Sequence, residues 1–457
     1  MVKKKDQVTV TIESLSFPKK GKGMVEGMPL TVKGVLPGQT VRCAITKKRE
    51  GKLEGRLLEI LERAPYERAP LCSQFDLCGG CTYQTISMEQ ENAFKEQQVL
   101  ELLKQAGVTG FQYEGITASQ VQKGYRNKCE FSFGDNGAEG RLSLGMRRRN
   151  SFYEVVTLEK DCTLVDDDFV DIIHANLDFF ASRQIPFYHK GRHDGVLRHL
   201  VVRKGHYTGE ILLNLVTASQ WGFSLEEWKE KMLSLPLQGK IVSLFHTIND
   251  SVADVVKSDE STLLYGQEYF TDRLFDLSFR ITPFSFFQTN TRGAEQLYQM
   301  VKDYVGEGNH TVLFDLYCGT GTISQVMARQ CKKVYGIELV AEAVEAAKEN
   351  AAQNGIDNCT FLAGDVLELV DQLEEKPDVI IVDPPRDGIH PKAIGKIIAF
   401  GAPKIVYVSC KPSSLAWDLA VFQENGYAVK RLQLMNQFGH TEHIETVVEL
   451  VKEGKGV

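Results

Sequence analysis

Thr311-Val-Leu-Phe-Asp-Leu-Tyr-Cys-Gly-Thr-Gly-Thr322 decides how the C-terminal part of this chain folds. Its apolar start favours a strand, and Gly319 and Gly321 then let the backbone turn sharply and come closer to a ligand than any residue with a Cβ allows. A helix should follow. Reading outward, Val334-Tyr-Gly-Ile-Glu338 is a second strand ending in a carboxylate, at the place where such folds hold two ribose hydroxyls. Ala341 to Asn354 reads as a helix. Thr360-Phe-Leu-Ala-Gly-Asp365 reads as a third strand with an acidic end, and Asp378 to Val382 as a fourth running into Asp383-Pro-Pro-Arg-Asp-Gly388. Strands alternating with helices predict an α/β, Rossmann-like domain, with a parallel sheet covered on both faces.

Length and composition bound the rest. A chain of 457 residues is too long for one core and predicts two to four domains. With 43% hydrophobic and 25% charged residues it has the make-up of a soluble globular protein. No apolar run is long enough to span a bilayer, and the basic start MVKKKDQVTV is not followed by a signal core, so a cytoplasmic protein without a membrane partner is expected. Ten cysteines, three of them between Cys72 and Cys81, read as ligands and thiols in a reducing compartment rather than as a disulfide framework. The net charge of −7 hides an asymmetry: residues 1–60 hold 13 Lys and Arg against 6 Asp and Glu, a balance of +7, which leaves −14 on the remainder. A basic N-terminal module precedes an acidic body.

Residues 8–60 read as short strands with Gly-rich turns, including a hairpin loop from Lys47 to Lys52, and predict a small barrel of the OB type over residues 1–62. Ala64 to Pro70 reads as a linker into the cysteine-bearing segment 63–85. Ser87-Met-Glu-Gln90 is a capping box opening a helix whose apolar face is Phe94, Val99, Leu102, Leu103 and Ala106, so residues 86–124 should pack on the catalytic domain. Residues 125–265 read as a β-rich central domain, with a hairpin of Leu197–Arg203 and Glu210–Thr217; residues 266–457 are the Rossmann-like domain. Within the central domain Lys123, Arg126, Lys128, Arg141 and Arg147 to Arg149 alternate with Tyr125, Phe131, Phe133, Phe152 and Tyr153. That pattern fits phosphates and unstacked bases as readily as a solvated strand face.

A glycine turn serves several nucleotide cofactors, a dehydrogenase's among them. Glycine turn, ribose acid and a further acid, without GxGxxG, resemble class I methyltransferases that bind S-adenosylmethionine. Val406-Tyr-Val-Ser-Cys410-Lys-Pro-Ser-Ser414 adds a thiol at the end of a strand, opening into the crevice above the sheet. The spacing C-x5-C-x2-C from Cys72 through Cys78 to Cys81, with a Gly79-Gly80 turn, is a ligand pattern suited to zinc or a four-iron cluster.

With Asp383-Pro-Pro-Arg, Ser409-Cys410, His443-Ile-Glu445, Phe286-Phe-Gln288-Thr-Asn290 and Cys72 to Gln84 in this order, nearly the whole chain resembles the RNA uracil-5-methyltransferase family. The N-terminal module resembles the TRAM domain, and the cysteine pattern resembles the 23S ribosomal RNA branch rather than the tRNA branch. The resemblance implies that Gln288, Tyr317, Glu338 and Asp383 hold S-adenosylmethionine around the turn shaped by Gly319, and Asp365, the acid at the end of the third strand, is expected to join them. It implies a covalent adduct of Cys410 with carbon 6 of uracil, with Glu445 removing the carbon 5 proton. It further implies that Cys162 completes a [4Fe–4S] ligand set with Cys72, Cys78 and Cys81, that 23S ribosomal RNA is the partner, and that no obligate protein partner is needed. A tRNA enzyme and an assembly factor with weak turnover are the alternatives. Two departures stand out: Lys411 replaces the family's Asn or Thr and would lower the thiol pKa, and Asn436-Gln-Phe438-Gly439-His-Thr441 replaces Asp-x-Phe-Pro-x-Thr and would loosen the loop carrying Glu445.

Overall fold

The computed structural model describes residues 2–453 apart from 138–139, 152, 221, 253–258, 309–310, 370–372 and 374. Its N-terminal unit holds six strands, β1 (Gln7–Thr11), β2 (Ser14–Ser16), β3 (Lys20–Val25), β4 (Met28–Lys33), β5 (Thr40–Arg49) and β6 (Lys52–Glu62), in the order β1-β5-β6-β4-β3-β2. They curl around Val10, Ile12, Leu30, Val32, Val41 and Cys43. The expected loop from Lys47 to Lys52 shortens to Glu50-Gly51. Both residues have positive φ, 51° and 75°, which matches the twist of the flanking strands and lets them pair to the end.

A helix, α1 (Met88–Gln105), opens where Ser87 accepts a hydrogen bond from the Gln90 N–H, and β7 (Gln112–Ala118) follows it. The buried face of α1 is Glu91, Phe94, Lys95, Gln98, Val99 and Leu103, whereas Leu102 and Ala106 are only half-buried, so the apolar face read from the sequence is corrected to a mixed one. The central domain contains β8 (Lys128–Asp135), β9 (Leu142–Arg147), β10 (Val155–Thr157), α2 (Asp167–Ser182), β11 (Leu197–Lys204), β12 (Glu210–Thr217), α3 (Leu225–Leu233), β13 (Lys240–Ile248) and β14 (Glu260–Gly266). Its seven strands form one sheet, β10-β9-β8-β11-β12-β13-β14. A two-stranded ribbon, β15 (Phe270–Leu274) and β16 (Leu277–Ile281), leads onward.

The C-terminal domain alternates α4 (Thr291–Val305), β17 (Val312–Leu316), α5 (Thr322–Ala328), β18 (Lys333–Glu338), α6 (Ala341–Gln353), β19 (Cys359–Ala363), α7 (Val366–Leu369), β20 (Val379–Val382), α8 (Pro391–Ala399), β21 (Lys404–Ser409), α9 (Pro412–Glu424), β22 (Tyr427–Asn436) and β23 (Glu445–Lys452). The sheet order is β19-β18-β17-β20-β21-β23-β22-β7. Its first five strands are parallel, but β23 runs antiparallel to both neighbours, so the expected parallel sheet is in fact mixed. The short connection between β22 and β23 permits only a hairpin return. The eighth strand, β7, comes from ahead of the central domain and pairs parallel with β22.

Strands β17 and β20 are buried along their whole length, which is why they read as unbroken apolar runs. Alternate residues feed two cores. Phe314, Leu316, Ile380, Val382 and Ile405 face one side with Val99 and Leu103 of α1, while Leu313, Ile381, Val406 and Val408 face the other. Among the described residues no helix is long and apolar enough to cross a membrane.

Candidate active site

All the candidate donor residues except Gln288, which precedes α4, stand at the carboxyl ends of the parallel strands. After β17 the backbone enters three left-handed positions, Tyr317 (φ 68°), Gly319 (φ 54°) and Gly321 (φ 72°). A bulky residue held at positive φ is strained, and such strain gathers where a ligand is gripped. A Cβ at Gly319 would meet nothing within 4 Å, whereas one at Gly321 would lie 2.7 Å from Phe361 and 2.9 Å from Ala347. Glu338, at the end of β18, accepts hydrogen bonds from the Gly319 N–H at 3.0 Å and the Val340 N–H at 3.0 Å, which fixes its carboxylate under the turn. Exposed Asp365 follows β19, close enough for its charge to bear on Tyr317. Gln288 is buried. Its Oε1 accepts from Gln437 Nε2 at 3.1 Å and its carbonyl accepts from Asn127 Nδ2 at 2.9 Å. Cys318 packs beneath the turn with Val344, Ala347 and Phe361.

Next to this crevice three acidic groups share one desolvated space. Asp383 follows β20, Cys410 follows β21, and Glu445 opens β23, whose pairing with β21 ends at Ser409 opposite Thr446. Burial pushes the Glu445 carboxyl up to about 8, helped by the charge of Asp383 and opposed by Arg386. Burial likewise lifts Asp383 to about 7, with Asp315 beneath it adding to the effect. The Cys410 thiol rises to about 11 through burial and the charges of Glu445 and Asp383, again opposed by Arg386. Arg386 is thus the cation serving the pocket. The sequence marked it only as the residue after two prolines. Its Nη2 lies 3.0 Å from His443 Nδ1, and burial, then Arg386, holds that imidazole down at about 4, so neutral Nδ1 accepts the bond.

Both departures from the family pattern read differently in three dimensions. The ammonium of Lys411 lies 3.7 Å from Asp387, and the cation that lowers the Cys410 thiol pKa is Arg386, so the role expected of Lys411 passes to its neighbour. Nor is the loop before Glu445 loose. Residues 436–441 are all buried; Asn290 donates to the Gln437 carbonyl at 2.7 Å and the Tyr125 hydroxyl to the Gly439 carbonyl at 2.9 Å. A Cβ at Gly439 would come 2.9 Å from the Met88 methyl group, so this glycine lies packed against the first residue of α1.

Cys72, Cys78, Cys81 and Cys162 are all buried and unbridged, and the charge of each that ionises would bear on the others. The loop that carries Cys72, Cys78 and Cys81 is held by Arg149, whose Nη2 donates to the carbonyls of Phe75, Cys78 and Cys81 at 2.8–3.3 Å. Two sulfurs already accept N–H bonds, Cys78 from Gly80 at 3.4 Å and Cys81 from Gln84 at 3.1 Å. Burial raises Cys72 to about 11 and Cys81 to about 12. Among the described residues no set of three or more His, Cys, Asp or Glu side chains is placed to hold a metal ion. As neutral thiols the four pack as small apolar groups.

The basic and aromatic stretch of the central domain is also corrected. Tyr125, Phe131 and Phe133 are core residues, Arg148 pairs with Glu154, and Arg149 holds the cysteine loop. Strand alternation along β8 turned Phe131 and Phe133 inward, while Tyr125 is buried just ahead of that strand. Only Tyr153 of the named aromatics is well exposed, and Phe152 lies outside the described residues.

Residues 225–453 match the family model of the tRNA (uracil-5-)-methyltransferases, and residues 3–58 match the TRAM domain. An "uncharacterized RNA methyltransferase" of Clostridium tetani is 45% identical over 98% of both chains. The chain belongs to the tRNA (uracil-5-)-methyltransferase family. As a member it is an S-adenosylmethionine-dependent RNA uracil-5-methyltransferase with an N-terminal TRAM domain. A second relative of the family, from Clostridium acetobutylicum and also named "uncharacterized RNA methyltransferase", is 44% identical over 99% of both chains. The fold is that of the tRNA (uracil-54, C5)-methyltransferase of Pyrococcus abyssi, solved with S-adenosyl-L-homocysteine. It superposes with a TM-score of 0.76 at 24% identity, over 97% of this chain and 100% of that one.

The two glycines of the turn separate strain from occupancy. Gly321→Ala meets both a positive φ and steric overlap and should cost roughly 2–4 kcal/mol in urea unfolding. Gly319→Ala should cost only about 1 kcal/mol, yet abolish binding of S-adenosylhomocysteine in calorimetric titration. Glu445 gives a pH-dependent test. In the unfolded chain it ionises near its model value of 4.5 and in the folded one near 8, so stability due to the neutral buried form is complete below 4.5 and is lost as pH rises to 8. Glu445→Gln should therefore raise the melting temperature of the ligand-free protein at pH 8 by several degrees, and leave it unchanged at pH 4.

Proposed function

We propose that this protein methylates carbon 5 of specific uridines in 23S ribosomal RNA in the cytoplasm, through a covalent intermediate on Cys410. The observation that carries this reading is the meeting of Asp383, Cys410 and Glu445 in one desolvated crevice beside the donor turn. Gln288, Tyr317, Glu338, Asp365 and Asp383 would hold the donor, and the open space at Gly319 with buried acids around it suits a cationic sulfonium. S-adenosylmethionine, when bound, supplies the electrophilic methyl group that carbon 5 takes up.

The chain's own residues perform the rest. The Cys410 thiolate adds to carbon 6 of uracil, and the displaced π electrons make carbon 5 nucleophilic. Arg386 favours the ionised forms of both Cys410 and Glu445. Once methylated, carbon 5 still carries a proton. The Glu445 carboxylate takes it, the electron pair restores the carbon 5–carbon 6 double bond, and the carbon–sulfur bond breaks to release the thiolate. Buried Asn436 and Gln437 support the active reading over a catalytically silent assembly factor, since they seat the loop that carries Glu445.

The test pairs two substrates. RNA containing 5-fluorouridine should form a denaturation-resistant complex with the wild type and none with Cys410→Ala. Absence of the complex, with donor binding intact, refutes the mechanism. Labelled methyl groups should pass to 23S ribosomal RNA rather than to purified tRNA; the reverse preference favours the tRNA reading, which the family's name and the Pyrococcus relative motivate.

Cys72, Cys78, Cys81 and Cys162 are proposed as the thiolate ligands of a [4Fe–4S] cluster, with zinc as the alternative. Four buried unbridged cysteines with N–H donors to two sulfurs are a donor set fit for either. Protein purified without oxygen should contain about four irons and four sulfides per chain and absorb broadly in the visible. Cys162→Ser should remove the absorption, and zinc in place of iron would decide for the alternative.

A further inference from the structure

Glu91 and Lys95 on α1 form a salt bridge of 2.8 Å, with side chains 0% and 2% exposed. A charged pair buried so deeply is costly unless other groups complete its hydrogen bonds. Here those groups all belong to one loop, residues 437–444 with its flanking Asn436, which connects β22 to the first residue of β23, Glu445. At its start, Lys95 donates to Asn436 Oδ1 at 2.8 Å while Asn436 Nδ2 donates to Glu91 Oε1 at 3.0 Å and to Asn92 Oδ1 at 2.8 Å. Farther along, the His440 N–H donates to both Glu91 oxygens at 3.0 Å. The same His440 carbonyl accepts the N–H groups of Thr82 and Tyr83 at 2.6 and 3.0 Å, directly after Cys81. Thr82 in turn offers its carbonyl to Lys19 of the N-terminal domain, whose N–H is held by Gln98 of α1.

We propose that the buried Glu91–Lys95 pair is a positioning device for Glu445: it clamps the loop at Asn436 and His440, setting where the proton-abstracting carboxylate stands, and ties that step to the cysteine segment and the N-terminal domain. The inference rests on the role given to Glu445 above. Asn436 is matched to the pair, because it has an acceptor for the lysine and a donor for the glutamate. Asp at this position would lose the donor and face Glu91 with a like charge.

Because the clamp acts on proton removal and not on attack by Cys410, it separates two measurable events. In Glu91→Gln, one round of methyl transfer to RNA should proceed within about threefold of the wild type, while steady-state turnover falls by at least about tenfold. Methylated RNA should accumulate as a covalent complex on denaturing gels, and Glu445→Gln should give the same complex. Removal of one partner can unfold the site, so Glu91→Met/Lys95→Met, which leaves no unpaired buried charge, is measured alongside it with S-adenosylhomocysteine affinity as the check on folding. Asn436→Asp should show the same release defect, and Glu91→Gln added to it should restore turnover, since one carboxylate per lysine is then regained. If single-turnover methylation and turnover fall together in the folded variants, with no trapped complex, the pair is merely structural and the proposal is overturned. If the wild type itself makes no 5-methyluridine, the proposed function fails first and this inference with it.

Discussion

Desolvation of acids at the end of a parallel sheet is the constraint on which the rest of this structure depends. Asp315, Asp383, Glu445 and Cys410 are all raised by burial; the charge of Asp315 adds to the effect on Asp383, that of Asp383 to the effect on Glu445, and those of Glu445 and Asp383 to the effect on Cys410. Such a cluster persists only because the β-strands that present it are locked by apolar layers on both faces, so the groups cannot swing out to water. It also invites a cation. Arg386 supplies one from a turn stiffened by Pro384 and Pro385, and a positively charged donor in the adjoining crevice would supply another. Poor solvation of the resting pocket and affinity for a cationic ligand are therefore one property.

The parts of the fold governed by local rules were readable in advance. Glycine turns, strand ends and the Ser87 cap depend on a few consecutive residues, and the donor turn at Tyr317 to Gly321 and the reach of Glu338 to its backbone came out as the residue types required. Cys410 and Glu445 were picked out through their place in a family pattern, not by local rules. Nothing in their own neighbourhoods says that β23 returns antiparallel and sets one beside the other.

What escaped the sequence was long-range. Glu91 and Lys95 sit four residues apart on a helix, which reads as an exposed ion pair of the ordinary kind, and only the loop 341 to 349 residues later turns that face inward. The aromatics among the arginines looked like an RNA surface because alternation along a strand does not say which side is covered. Lys411 drew attention by its position in the chain, yet the charge that matters comes from Arg386, distant in sequence and near in space. For the aromatics and for Lys411 a short-range reading named the chemistry and missed the direction.

The eighth strand of the catalytic sheet has a bearing on how the protein is made. β7 lies at residues 112–118 and its partner β22 at residues 427–436, so the first-synthesised edge of that sheet must wait for nearly the last. The whole central domain emerges in between and can fold as a unit while the edge strand stays unpaired. Vectorial synthesis thus leaves the methyltransferase domain open until its final hairpin is released. The loop carrying Glu445 forms in that closing event, so a chain that stalls or is truncated late holds a complete glycine turn after β17 but lacks the buried carboxylate beside Cys410.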